Sequence, residues 1–134
     1  MSRQIFMTES LYGQCHPINR STNRDLNGAA LANLRVQMEA FLTGEEVVEK
    51  RQMTWLAPVK RNMWELRAFM KPAVRLVGWF HAHRVFICTH VSLRSTLGPG
   101  GSAAWIEIVD KSETKRAELK LVPFVANTFD GHMN

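Results

Sequence analysis

Met63–Val91 reads MWELRAFMKPAVRLVGWFHAHRVFICTHV, and its periodicity decides the fold class. Side chains alternate sides along an extended chain. From Met63 to Met70 that rule puts Trp64, Leu66, Ala68 and Met70 on one face, and Glu65, Arg67 and Phe69 on the other. Lys71-Pro72 interrupts the run, because proline donates no ladder hydrogen bond. Ala73–Phe80 resumes the alternation, with Val74, Leu76, Gly78 and Phe80 opposite Arg75, Val77 and Trp79. His81–Arg84 predicts a hairpin turn, and Arg84–Val91, rich in Val, Phe, Ile and Thr, predicts a third strand. Three short neighbouring runs with tight connections favour an antiparallel meander.

Helical patterns flank these strands. Leu31, Leu34, Met38, Phe41 and Leu42 trace one stripe of an amphipathic helix that Asp25 can cap and Gly44 can stop. A shorter helix is predicted from Glu45 and Glu46 through Met53, limited by Pro58, so that the two form a helical hairpin. Gly98-Pro99-Gly100-Gly101 is a connection, and Ser102 can cap a last helix. Trp105, Ile108, Val109, Ser112, Arg116 and Leu119 form its inner face, and Glu107–Lys111 is a favourable pair on its outer face. Gln4–Thr8 predicts the start of a strand, whereas Leu11–Arg24 has the Gly, Pro, Asn and Ser content of a loop. Leu121–Phe129 reads as an edge strand or an extended arm, since Pro123 argues against a central strand.

The expected class is therefore α+β, with an N-terminal helical hairpin, an antiparallel sheet of three to four strands and a C-terminal helix. The 134 residues suit a single domain over 1–134, with 9–24 a flexible loop and 121–134 a flexible tail. No run of ~18 apolar residues is present, and the start MSRQIFMTES lacks the order of a signal peptide, so a cytoplasmic location is expected. Cys15 and Cys88 are too few and too far apart for a disulfide framework or a zinc site. His81 and His83 flank a turn with no further ligand in sequence, so neither a metal nor a cofactor is expected.

Charge is unevenly distributed. Lys50–Arg94 holds nine basic residues against one acid, Glu65, a local charge of +8 that leaves −3 for the remainder of a chain with net +5. That asymmetry fits an acidic partner, nucleic acid or an acidic protein segment, and it equally fits a solvated basic face. Arg67 and Arg75 share one strand face by parity and can converge on a phosphate, which the planar guanidinium grips in two places. With no partner, the same residues are solvent-facing arginines on a half-exposed sheet. His90, at the end of the third strand, is either a structural imidazole or a proton-transfer group. Trp55, Trp64, Trp79 and Trp105 are candidate base-stacking platforms or core residues; inner helix and strand positions favour core for Trp64 and Trp105, and Trp79 shares the Arg75 face.

The segments Trp64-Glu65-Leu66-Arg67, Val74-Arg75-Leu76-Val77-Gly78-Trp79 and Phe86–Val91 together resemble the core of the RelE/ParE superfamily of bacterial and phage toxins, in its HigB-like or phage-derived branch. Those chains carry a helical hairpin, a W-E-L-R strand, a strand containing Y-R-[VIL]-[LVF]-Y and a strand ending in basic residues. The resemblance covers roughly residues 30–120. It implies a toxin-type endoribonuclease that cleaves messenger RNA, at the ribosome in many members, by metal-independent attack of the 2′-hydroxyl, and that an antitoxin neutralises. It places Arg75 at the family's Y-R arginine, Arg67 at a basic position of the first motif strand and Arg94 near the basic end segment. With these goes His90 as a proton-transfer group. Lys60, Arg61, Lys71, Arg84 and Trp79 are the expected RNA contacts. The sequence departs from the pattern in two places. Val91–Thr96 (VSLRST) has one arginine where the family has a lysine pair, and the only tyrosine, Tyr12, lies far from the last helix. These departures keep open an alternative, a non-catalytic binder of this fold such as a DNA gyrase inhibitor or a phage protein that inhibits a host enzyme.

Overall fold

The computed structural model describes residues 3–15, 28–44, 52–56, 61–124 and 132–133. In these residues the elements run β1 (Gln4–Met7), α1 (Glu9–Cys15), α2 (Gly28–Leu42), β2 (Met53–Trp55), β3 (Trp64–Ala68), β4 (Val74–Ala82), β5 (Val85–Leu93), α3 (Arg94–Leu97) and α4 (Ala103–Glu118). They build an α+β fold around a five-stranded sheet of order β1-β5-β4-β3-β2. None of the described helices is long and apolar enough to cross a membrane.

The alternation in Met63–Phe80 is what holds the layers together. Trp64, Leu66, Ala68, Val74, Leu76 and Phe80 bury themselves against Leu11 and Cys15 of α1 and Ala30, Leu34 and Phe41 of α2. The opposite parity, Val77 and Trp79 together with Met63, packs against Trp105, Ile108 and Val109 of α4. The sheet is therefore covered on both faces, which explains why seven consecutive residues of β4, Val74–Phe80, are all buried. The helix stripe of α2 buries Leu34 and Phe41 completely, and Gly44, at φ 79°, supplies the left-handed residue that ends it. Ser102 caps α4 by accepting from the Trp105 amide at 3.4 Å.

β4 and β5 are not in continuous register. Val77 pairs with His90 but Gly78 with Cys88, so Thr89 is an extra residue in β5. The bulge lets consecutive residues face the same side: the Thr89 hydroxyl bonds Ser112 Oγ of α4 at 2.6 Å, and it bonds His90 Nδ1 at 2.8 Å.

Several sequence expectations are corrected. The sheet is mixed, not antiparallel: β2–β3, β3–β4 and β4–β5 are antiparallel, but β1 lies parallel to β5, from Gln4↔Val85 to Met7↔Cys88. Parallel pairing needs a long crossover, and here everything from α1 to β4 supplies it. Residues 9–15 are not loop. Glu9 sits at the first turn of α1, and Leu11 and Cys15, four apart, share its buried face. The expected second helix falls on 45–51, outside the described residues. Its predicted end is strand, because Met53 and Trp55 pair with Leu66 and Trp64 on the edge of the sheet.

The expected flexible tail is anchored at its end. His132 and Met133 are 1% exposed. The His132 ring lies 4.9 Å from Trp64 and 5.2 Å from Phe80. Its carbonyl accepts from the Arg84 amide at 2.9 Å, and the Met133 carbonyl accepts from Arg3 Nε at 3.4 Å. Leu121–Phe124 is not strand, although the Phe124 amide bonds the Phe80 carbonyl at 2.7 Å.

Candidate functional site

On the α4 side of the sheet, Glu65 and Arg67 of β3 and Arg75 of β4 form one cluster. Arg67 and Arg75 are directly opposed across the two strands, a like-charge pairing that is unfavourable alone. Glu65 resolves it: Arg67 Nε lies 3.4 Å from Glu65 Oε1, and Arg75 Nε lies 3.7 Å from Oε2. The three side chains differ in access. Arg75 is 4% exposed and Glu65 5%, whereas the Arg67 side chain is 29% exposed. Arg75 Nη1 also donates to the Val74 carbonyl at 3.2 Å.

Burial dominates the electrostatics of this cluster. It pushes the Glu65 carboxyl above the ordinary carboxylate range, against the opposing pull of Arg75, Arg67 and Arg94. It lowers the Arg75 guanidinium, which Glu65 supports and Arg67 and Arg94 oppose. The pair is poorly solvated, and its separation exceeds that of a close hydrogen-bonded bridge.

Above the cluster opens a cavity of about 330 Å³, within the range of small-ligand clefts. Glu65, Arg67, Arg94 and Arg61 are its charged lining, and Trp55 and Trp105 are its aromatic walls. Each wall has a local cause. Arg94 leaves the end of β5, its amide bonded to the Ala73 carbonyl at 2.9 Å, and its Nη1 donates to the Gly98 carbonyl. Trp105 Nε1 donates to the same carbonyl at 3.1 Å, so the α3–α4 connection fixes one arginine and one indole together. Arg61 is clamped to α4, with Nη2 2.5 Å from Asp110 and Nε 2.6 Å from Glu113. Those carboxylates, Glu113 first, raise its pKa. Arg116 holds the backbone beside it, donating to the Arg61 carbonyl at 2.9 Å.

The structure brings Arg67, Arg75 and Arg94 of the expected site into one cluster, places Arg61 in the lining of the same cavity, and leaves His90, Lys71, Arg84 and Trp79 elsewhere. His90 lines a separate groove with Asp110, Lys111, Thr114, Lys115 and Glu118, and burial, followed by Lys111 and Lys115, lowers its pKa. Arg61 lines the cavity with two carboxylates attached. Lys71 and Arg84 occupy the turns at opposite ends of β4, nine strand residues or roughly 30 Å apart. Lys60 lies outside the described residues. Trp79 is a correction: it is 0% exposed beneath α4, with the Arg116 guanidinium 5.7 Å from its ring. A ring enclosed in that way cannot stack on a base.

Glu65 is a member of the cavity that the sequence reading did not place in a site, and Trp55 and Trp105, weighed there as stacking or core residues, line it beside the arginines. The available signal for Glu65 was its solitude, one acid among nine cations on the same strand face as Arg67. Among the described residues no group of three His, Cys, Asp or Glu side chains is placed to hold a metal ion. Comparison of the chain with protein-family models, curated proteins and solved structures finds no match.

Proposed function

We propose that this chain is an RNA-cleaving protein of the toxin type, acting on messenger RNA, and that its cavity receives one nucleotide of a single strand. The observation that carries the reading is the pairing of two arginines with accessible or half-buried heads, Arg67 and Arg94, with indole walls in a cavity of single-nucleotide scale. Phosphodiester cleavage by a neighbouring 2′-hydroxyl requires the phosphate held in line and its added negative charge stabilised. Arg67 and Arg94 suit both tasks because a guanidinium presents a planar fork of donors to phosphate oxygens. Trp55, half-buried at the cavity, offers apolar surface to a base, and the buried Trp105 backs the opposite wall. Arg75, behind Glu65, acts as a positioning residue. An antitoxin that neutralises the chain would cover the mouth of this cavity.

A second reading, the non-catalytic binder of a host protein such as DNA gyrase, draws on Ile106, which is 52% exposed while lining the same cavity. Induced expression followed by primer extension on reporter messenger RNA separates the two. The nuclease reading expects growth arrest with cuts within codons, and loss of both in Arg67→Ala. Growth arrest with intact RNA would refute it in favour of the binder. For the purified chain, two phosphate-gripping arginines predict a shallow salt dependence of RNA binding, a log–log slope of about −1.4. A slope steeper than about −4 would mean a long basic track instead.

A further inference from the structure

We propose that the outer edge of β1 is a homodimer surface, on which two copies of the chain pair β1 with β1 in antiparallel register and join their sheets into one. β1 stands at one end of the strand order. The Gln4 amide bonds the Arg84 carbonyl, and the Thr8 amide bonds the Cys88 carbonyl. By the period of two along a strand, Gln4, Phe6 and Thr8 serve β5, while Ile5 and Met7 turn their amides and carbonyls to the outer edge. Among the described residues no strand lies on that side. The edge also lacks the devices that keep such edges single: Gln4–Met7 has no lysine and no proline, and its pairing with β5 runs without a bulge. Apolar surface flanks it on both faces. Phe6 and Tyr12 are each 53% exposed, and Leu42 and Leu119 are exposed as well. Phe6 lines a groove on either side of β1, with Tyr12 and Leu42 on the α2 side and Leu119 on the α4 side.

The polarity of charge along β1 selects a second copy as the occupant. Arg3 precedes the strand, and Arg84 is bonded to its first residue, so the start of β1 is basic. Glu9, exposed and lining both grooves, makes the other end acidic. Among the described residues neither Arg84 nor Glu9 has an ion-pair partner, whereas Lys115 of the α4-side groove is taken by Glu118 at 3.1 Å. An antiparallel second copy sets each basic end against the partner's Glu9. The two-fold axis then falls at Phe6. Ile5 exchanges two backbone hydrogen bonds with the partner's Met7, and Met7 two more with the partner's Ile5. Phe6 meets the partner's Phe6 at the close, non-hydrogen-bonded position, with Cβ atoms about 5 Å apart. Covering the exposed halves of Phe6 and Tyr12 buries about 100 Å² each. With the two leucines and the strand backbone, the pair of copies buries roughly 1,000 Å², at the low end for a specific interface. That size predicts a reversible dimer with a Kd on the order of 10 µM. The arginine-lined cavity lies beside β2 and β3, toward the opposite edge of the sheet. It stays open in the pair, so this inference stands or falls apart from the RNA-cleaving reading.

The test is sedimentation velocity of the purified full chain from about 1 to 500 µM in ~0.1 M salt. The wild type passes from monomer to twice the monomer mass as concentration rises. Phe6→Lys, a change at an exposed side chain, weakens association by at least ~30-fold and leaves the urea midpoint in place. Glu9→Arg and Arg84→Glu each weaken it by about tenfold or more, because each sets like charges face to face. An equimolar mixture of these two variants dimerises again, since every mixed pair restores opposite charges at both ends. Circular dichroism checks that each variant folds. A chain that stays monomeric at 500 µM overturns the inference and leaves the edge to a strand of a different protein. A dimer that survives Phe6→Lys overturns it as well, because another surface must then hold the copies. A mixture of the two charge variants that remains monomeric overturns the antiparallel arrangement about Phe6.

Discussion

Replacing Gly78 with alanine tests the account of the sheet on which the cavity is built. Gly78 sits where the β4–β5 register shifts. A methyl there would fall 2.8 Å from the Ile87 carbonyl carbon and 2.9 Å from Cys88 Cα, closer still to the Ile87 oxygen. All three neighbours are backbone, so no side chain can swing aside, and the two central strands must part. Two or three ladder hydrogen bonds at ~1 kcal/mol each, plus disturbed packing of the flanking Trp79 and Phe80, sum to about 3–5 kcal/mol. Against a total stability of ~5–15 kcal/mol that is a large fraction, and it corresponds to a fall of roughly 10–20 °C in Tm for a domain of this size. Urea unfolding followed by tryptophan fluorescence measures it. Gly13→Ala is the control: nothing lies within 4 Å of the added methyl, and a mid-helix alanine should add ~0.5–1 kcal/mol. If Gly78→Ala unfolds within 1 kcal/mol of the wild type, the bulge does not constrain the strands as described. The aim of Thr89 and His90 toward α4 would then need another cause.

Two further outcomes concern parts of the fold remote from the cavity. His90 has a lowered pKa in the folded chain, from burial first and then Lys111 and Lys115, while Asp110 and Glu118 also line its groove. The unfolded chain then binds the extra proton, so this contribution is fully present above about pH 6.5 and is lost as pH falls from there through the folded pKa. His90→Asn should flatten the dependence of the urea midpoint on pH between 7.5 and 5, and an unchanged slope would show that His90 is not its source. Met133→Ala should destabilise the chain by ~2–5 kcal/mol, the cost of truncating a fully buried methionine. A midpoint shift under ~0.5 kcal/mol would mean that the C-terminal residues do not occupy the core.

What was legible in the sequence was whatever a single period of burial controls. Trp64–Ala68 and Val74–Phe80 alternate, and their two parities fill the two faces of the sheet, whereas Met70, expected on the Trp64 face, lies beyond the strand and is 61% exposed. The α4 stripe was legible from Trp105 to Ser112 for the same reason, together with Ser102, whose hydroxyl meets the Trp105 amide, but Leu119, expected on the inner face, follows the helix and is exposed. Parts that are short and held only by distant partners could not be read. β1 is four residues, and its parallel pairing depends on Val85–Cys88, some eighty positions away. β2 is three residues of a segment with helical pattern, and it becomes strand because β3 offers an edge. Leu11 and Cys15 are separated by Gly13, a residue that reads as loop, yet their four-residue spacing lets both reach the core. Nothing in the tail signals that His132 inserts among Trp55, Trp64 and Phe80.

The candidate site shows the same division in its charges. The +8 of Lys50–Arg94 is a property of the sequence, but folding distributes it into separate fates. Arg61 is spent on Asp110 and Glu113 of α4, residues counted in the acidic remainder of the chain. Arg75 is buried against Glu65, and Arg84 and Lys71 stand at opposite ends of β4. Among the described residues, Arg67 and Arg94 are the basic stretch's contribution to the cavity apart from the already paired Arg61. A sequence-wide excess of positive charge thus becomes a local group of cavity arginines with Glu65 beside them, which on the proposed reading would grip about one phosphate. If the proposed RNA-cleaving reading holds, so local a group favours a single reacting unit over a long backbone track, because long-track affinity scales with the number of phosphates neutralised. The lone acid of the basic stretch, which counts least in the charge sum, is the residue around which the arginines are arranged.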